Sequence, residues 1–108
     1  MVKIVLVTAD YDPLRGKVKR VLREVSQEKN VELEIRNEDW DFLIKYGEKD
    51  ELGGFDLPQV FIVDKEGNVK HIITRVPLDE KGKPRYDYVK ELVIKELKKL
   101  ESSFLLKF

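Results

Sequence analysis

Residues 55–73 read FDLPQVFIVDKEGNVKHII, and this stretch decides the fold. It holds two apolar runs, VFIV at 60–63 and VKHIIT at 69–74, separated by the polar segment DKEGN. Gly67 and Asn68 tolerate the positive φ of a hairpin turn, so the two runs predict neighbouring antiparallel strands. Pro58 stands directly before the first run. A proline has no amide hydrogen to donate to the ladder, so it is confined to positions such as the start of a strand, where no such bond is needed.

Two further strands are expected in the first third of the chain. KIVLV at 3–7 is apolar and β-branched after its lysine, which indicates a central strand covered on both faces. VELEIR at 31–36 alternates strictly between apolar and charged residues, which indicates an edge strand with one wet face. Both runs therefore belong to one sheet with residues 60–74.

Helical patterns occupy three intervening segments. From Leu14 to Val25 the apolar residues recur at helical spacing, with Asp12 as the predicted N-cap and Pro13 as the predicted first helical residue. EDWDFLIKY at 38–46 predicts a short helix, which Asn37 caps and which Gly47 ends through a left-handed conformation. Residues 88–100 predict a third amphipathic helix. Residues 48–57 and 75–84 are expected to be loops, and no internal repeat is evident.

Composition limits the function classes. The 108 residues suit a single domain, residues 1–108, and Lys plus Arg equals Asp plus Glu at 21 each. A chain without net charge has no long-range attraction for nucleic acid or anionic membranes. The complete lack of Cys excludes disulfides, thiolate nucleophiles and dithiol redox chemistry. The abundance of Lys and Glu is similar to the usage of heat-adapted proteins.

The acidic residues are concentrated in the middle of the chain. Residues 30–58 hold nine acidic and three basic side chains, whereas residues 1–29 hold seven basic and four acidic ones. The N-terminal apolar run Val2–Val7 is much shorter than the roughly 20 residues of a membrane span, so we expect a cytoplasmic protein.

The predicted order is β-α-β-α-β-β-α. This order, with LPQVFIVDKEGNVKHI near the end and NEDWDFLIKYG before it, resembles the thioredoxin and glutaredoxin superfamily over nearly the whole chain. The resemblance implies an α/β thioredoxin-like fold whose four-stranded mixed sheet has the strand order 2-1-3-4. It also implies that the bond before Pro58 is cis and that this proline faces the start of the first helix.

The redox motif of that superfamily is absent here. Its two cysteines belong at the start of the first helix, where Asp12 and Arg15 stand in this sequence. The resemblance therefore implies a non-redox member with a binding groove made by six residues: Tyr11, Asp12, Pro13, Arg15, Leu57 and Pro58. In this groove Leu57 presents its backbone to an extended peptide.

Two other resemblances involve the same N-terminal segment. Asp10 and Asp12, a strand-end Asp64 and Lys83-Pro84 look like a response-regulator receiver, in which all strands are parallel and Asp64 accepts a phosphoryl group. Only ten residues separate Asp64 from Thr74, too few for the helix and strand that a receiver has there.

The second resemblance is fainter. Residues 11–16, YDPLRG, resemble the start of nucleotidylyltransferases, but the histidines of that motif are absent. His71 is the only histidine, and we expect it at the surface or half-buried on an edge strand, without a metal. Trp40 is expected to be a packing anchor.

The sequence thus predicts a protein- or peptide-binding module with no cofactor, no metal, and no nucleic-acid or membrane partner. The alternatives that remain open are a receiver-like phosphoacceptor and a cysteine-free enzyme on the same fold, with Asp10, Asp12 and Arg15 as its polar candidates. The apolar tail SSFLLKF also predicts self-association through Phe104–Phe108, which supplies cover for these side chains.

Overall fold

The computed structural model describes the backbone of residues 2–106 and the side chains of residues 2–101. Seven elements follow one another along the chain: β1 (Lys3–Thr8), α1 (Arg15–Lys29), β2 (Glu32–Asn37), α2 (Trp40–Tyr46), β3 (Gln59–Val63), β4 (Val69–Thr74) and α3 (Tyr86–Leu106). This α/β order is the one that the periodicity of the sequence predicts.

The four strands form one mixed sheet in the order β2-β1-β3-β4, as expected. β1 pairs with β2 in parallel, because α1 carries the chain back to the same end of the sheet. β3 runs antiparallel to both β1 and β4, with Gln59 opposite Val7 and Val63 opposite Lys3. The chain therefore enters β3 at the end of the sheet where β1 finishes.

Alternation along the central strands fills a separate core on each face of the sheet. Ile4 and Leu6 of β1 point to the face covered by α1 and α3, where the larger core lies. Val5 and Val7 point to the other face and pack with Leu43 of α2 and with Phe61. Burial of both faces explains why residues 4–7 of β1 are all apolar.

The two predicted N-caps are both misplaced. α1 begins at Arg15, and no side chain caps it; Asp12 instead accepts a hydrogen bond from the amide of Leu14, so Pro13 lies in a turn before the helix. α2 begins at Trp40, and its cap is Asp39, whose Oδ1 accepts the amide hydrogen of Phe42 at 3.0 Å. Asn37 is unable to act as that cap because it is the last residue of β2.

Gly47 does end α2, but not through a left-handed conformation. Its φ is −79° and its ψ 169°, which is extended backbone. A Cβ at this position would lie 2.8 Å from the carbonyl oxygen of Leu43 and 2.9 Å from the Cδ2 atom of that leucine. Close approach to the helix, rather than positive φ, therefore requires glycine here.

Three loops share one design that the sequence reading overlooked. Each loop reads Asp-x-x-Gly-x, at residues 50–54, 64–68 and 79–83. In each loop the aspartate Oδ1 accepts two backbone amide hydrogens, from the residues two and four positions later, at 2.8–2.9 Å. The glycine has a φ between 79° and 86°, the left-handed conformation that completes a tight hairpin. The same short hairpin loop thus occurs at three places in the chain.

α3 extends further toward the C-terminus than the predicted 88–100, and it reaches Leu106. The side chains of residues 102–106 and all of residues 107 and 108 are outside the described part, so the predicted association through Phe104–Phe108 falls there. Within residues 2–106, no helix is both long and apolar enough to cross a bilayer.

Candidate functional site

The peptide bond between Leu57 and Pro58 is cis, as the resemblance implies. Pro58 itself is buried at the start of β3, beside the end of β1. Its carbonyl oxygen accepts a hydrogen bond from the amide of Arg75 at 2.8 Å, and Arg75 has a φ of 60°. Pro58 is therefore held by the segment that follows β4. Leu57, the residue before it, is the one that lines the adjoining cleft.

The backbone of Leu57 is left unpaired. Within residues 2–106, no hydrogen bond reaches either its amide or its carbonyl group. Leu57 is half-buried, and the regular ladder begins only at Gln59. Because nearly all buried backbone groups are paired in native proteins, an unpaired donor and acceptor at the mouth of a cleft can bind an incoming strand.

Leu57 opens into a cleft of about 580 Å³, here named the Leu57 cleft. Most of its lining is apolar, and the full set is Asp12, Pro13, Leu14, Leu57, Ile73, Thr74, Arg75, Val76, Pro77 and Leu78. The volume is within the range of ordinary ligand sites. The cleft can therefore hold apolar side chains of a ligand whose backbone pairs with Leu57.

Asp12 forms the polar corner of this cleft, with only 8% of its surface exposed. Its Oδ2 accepts a hydrogen bond from the hydroxyl of Thr8 at 2.8 Å, and its Oδ1 accepts the amide hydrogen of Leu14 at 2.9 Å. Both oxygens thus join the end of β1 to the turn before α1. This arrangement gives Asp12 a structural task, the fixing of the turn that carries Pro13 and Leu14.

Three of the six predicted groove residues, Tyr11, Arg15 and Pro58, lie outside the cleft lining. Tyr11 is 66% exposed in the turn after β1. Arg15 starts α1, and its Nη2 lies 4.0 Å from a carboxylate oxygen of the exposed Asp10, while its Nε is buried without a hydrogen-bond partner among the described residues. The structure therefore brings together Asp12, Pro13 and Leu57 around the cleft, with Pro58 beneath it.

The fully buried Gln59 anchors the loop on one side of the cleft. Its Nε2 donates to the carbonyl oxygens of Glu48 and Asp56 at 3.0 and 3.1 Å, and its Oε1 accepts the amide hydrogen of Glu48 at 3.0 Å. These three bonds hold both ends of the segment 48–56 against β3. The position of Leu57 thus depends on a side chain that the sequence reading did not single out.

His71 lies on β4 beneath the same region, half-buried on an edge strand as predicted. Its ring meets Phe61 edge-on at 5.5 Å, and its Nε2 is 2.7 Å from the hydroxyl oxygen of Thr74, which lines the cleft. Burial lowers the pKa of His71 below its usual value, and the negative charge of Glu48 partly opposes this shift. The imidazole is therefore kept neutral over more of the acid range than a free one.

Sequence reasoning missed most of the cleft lining, namely Leu14 and the run from Ile73 to Leu78. A signal existed, since Val76-Pro77-Leu78 is an apolar segment within a predicted polar loop. The expectation for Trp40 was wrong: its side chain is 40% exposed at the start of α2, while Phe42 and Leu43 face the core. Trp40, the first residue of this short helix, belongs to neither core cluster of the described residues.

The receiver geometry is not present. Because β3 runs antiparallel to β1, Asp64 follows the strand end that faces Lys3, at the opposite end of the sheet from Asp10 and Asp12. Its carboxylate accepts amide hydrogens from Glu66 and Asn68, and the bond from the Asn68 amide is the main cause of its lowered pKa. Among the described residues no group of three or more Asp, Glu, His or Cys side chains could hold a metal ion.

The fold and the site together define an α/β domain with an open apolar cleft and an unpaired backbone edge. Comparison with protein-family models, curated proteins and solved structures gave no match for this chain.

Proposed function

We propose that this protein is a non-redox, thioredoxin-like binding module that takes up an extended peptide segment of a partner protein in the Leu57 cleft. The observation that carries the proposal is the unpaired amide and carbonyl of Leu57 at the mouth of an apolar cleft. An incoming strand satisfies both groups, and its side chains gain apolar contacts.

The surroundings support this mode of binding. Leu78 is 61% exposed on the rim of the cleft, and Leu52 is 96% exposed on the loop that Gln59 anchors. Exposed apolar side chains beside a concave apolar surface are typical of a docking site. A chain without cysteine cannot carry out thiol–disulfide exchange at this site, and the proposed location is the cytoplasm.

The test is selection of a random peptide library on the immobilised full-length protein, followed by affinity measurement with two matched variants. Leu78→Asp changes a cleft residue that is 61% exposed, and Ile44→Asp changes a residue of α2 that is 64% exposed. Because a peptide in the cleft would desolvate the new carboxylate, we expect Leu78→Asp to weaken binding about tenfold or more.

The Ile44→Asp protein should bind the selected peptides like the unchanged protein. Equal binding by all three proteins would place the peptides elsewhere on the surface. A selection that enriches no peptide at all would also contradict the proposal.

A further inference from the structure

A second cleft adjoins the Leu57 cleft. It has a volume of about 410 Å³ and is lined by Glu48, Lys49, Asp50, Glu51, Leu52, Asp56, Thr74 and Arg75. Thr74 and Arg75 line both clefts, and Asp56 directly precedes Leu57. The two spaces therefore form one continuous surface on either side of the unpaired Leu57 backbone. We name the second space the acidic cleft.

The acidic cleft has uncompensated negative charge. Four acidic side chains face two basic ones, and a carboxylate oxygen of Asp56 already lies 3.6 Å from the Arg75 guanidinium. The Asp50 carboxylate is occupied by the amides of its own loop. Glu48 and Glu51 have no ion pair with any residue whose side chain the structure describes. These two carboxylates are free to bind a cation.

The charge around the Leu57 cleft is not symmetric. Beyond Leu78, on the other side, a third open space is lined by Lys81, Lys83 and Arg85 together with Asp79 and Glu80. Three cationic side chains face two carboxylates there, and Arg85 is also paired with Asp87, so the excess of carboxylates lies on the side formed by residues 48–56. This asymmetry gives a bound peptide a preferred direction.

On the basis of the proposed function, we infer that the ligand is an extended peptide in which an apolar residue and a Lys or Arg are about two positions apart. The apolar side chain occupies the Leu57 cleft, and the cation occupies the acidic cleft near Glu48 and Glu51. A strand advances roughly 3.3 Å per residue, and residues two positions apart share one face, so a pair with this spacing suits two clefts that share Thr74 and Arg75 in their linings. Charge complementarity then selects among apolar peptides.

The test uses blocked peptides that share one leucine in a serine–glycine background. They differ only two positions after the leucine, where they carry lysine, norleucine or glutamate, and a second set has the variable residue two positions before it. Binding is followed by the amide shifts of the ¹⁵N-labelled full-length protein. In one of the two sets the lysine peptide should bind about fivefold tighter than the norleucine peptide at low ionic strength, as expected for partly exposed ion pairs.

The double variant Glu48→Gln/Glu51→Gln should abolish this preference and leave the affinity for the norleucine peptide unchanged. Glu24→Gln/Glu28→Gln removes the same charge from the exposed face of α1 and should keep the preference, which added salt should reduce.

Two outcomes overturn the inference alone: equal binding of the lysine and glutamate peptides in both sets, or a lysine preference that survives in Glu48→Gln/Glu51→Gln. If no peptide shifts the Leu57 amide, the proposed function fails as well, and the two failures are thereby distinguished.

Discussion

The same type of loop occurs at both ends of the sheet, but it closes two full strands at one end and only single bridges at the other. At one end, the hairpin end, the loop 64–68 joins β3 to β4, and the ladder continues directly from Val63 and Val69. At the other, the cleft end, the loops 50–54 and 79–83 each close only a single bridge, Lys49 with Phe55 and Leu78 with Pro84. The hydrogen bonds within the three loops are nevertheless the same.

The difference shows where backbone pairing stops. A loop that closes two full strands leaves few groups free, whereas a loop that closes one bridge leaves the adjoining chain without partners. Leu57 lies in such a segment, between the bridge at Phe55 and the ladder that begins at Gln59. The cleft end therefore combines a rigid frame with an open backbone edge, a combination that suits recognition of a strand.

The largest stability effect is expected for Gln59→Leu. Leucine is close to glutamine in size but leaves the amide of Glu48 and two carbonyl oxygens without their partners. Loss of these bonds in a buried site should lower the free energy of unfolding by about 2 kcal/mol or more, measured by urea denaturation. The other glutamine, Gln27, is exposed on α1, and Gln27→Leu serves as the control, with a change within about 0.5 kcal/mol. Similar values for both variants would show that the loop 48–56 holds its position without Gln59.

A second comparison sets Asp12 at the cleft end against Asp64 at the hairpin end. Asp12→Ala should lower the free energy of unfolding by about 1–2 kcal/mol, because it removes a buried acceptor from Thr8 and Leu14. Asp64→Ala should lower the free energy of unfolding less than Asp12→Ala does, because water can replace the exposed hydrogen bonds of Asp64. Because Asp12 lines the Leu57 cleft and holds the turn that carries Pro13 and Leu14, Asp12→Ala should also weaken peptide binding. Asp64→Ala, at the hairpin end, should leave peptide affinity unchanged, and equal affinities of the two variants would show that the turn keeps its shape without Asp12.

His71, which lies opposite the middle residue of β3, and Asp64 at the hairpin end should lose their contributions to stability in different pH ranges. Burial lowers the pKa of His71 in the folded protein below the ordinary value of 6.5, so its contribution is present above that value and is lost as the pH falls through the folded pKa. Asp64 has an ordinary value of 3.8, and its lowered pKa gives a contribution that disappears only in stronger acid.

Urea midpoints measured across pH should therefore decline first below about 6.5. His71→Gln should remove this first decline and keep the second one, to which the lowered pKa values of Glu34 and Asp39 also contribute. An unchanged first decline in His71→Gln would assign it to another group.

The sheet could be predicted from the sequence because its signals are local. The apolar run after Lys3, the alternation of residues 31–36 and the turn at Gly67 each indicate a strand or its direction, whereas the strand order 2-1-3-4 was implied by the resemblance and is the order observed. The cis bond at Pro58 followed from resemblance and not from composition. The ends of the helices were harder to predict, since the choice of Asp39 over Asn37 as N-cap depends on which side chain reaches a free amide.

The cleft could be predicted only in part. Asp12, Pro13 and Leu57 were named through the resemblance, but Ile73–Leu78 join them only through the return of the chain after β4. The positive φ of Arg75, which turns that segment over Pro58, has no sequence signal because arginine does not favour it. The exposure of Trp40 was hidden for a similar reason, since helical spacing does not fix the orientation of a first residue.

Hydrogen exchange at the amide of Leu57 tests the central claim most directly. The exchange rate is measured in the full-length protein, free and saturated with the tightest peptide from the library selection. Val31, whose amide donates to the carbonyl oxygen of Ser26 and which lines neither cleft, is the internal reference. If the peptide pairs with Leu57, exchange at the Leu57 amide should slow about tenfold or more, while exchange at Val31 changes little. An unchanged rate at Leu57 with the peptide bound would contradict the claim.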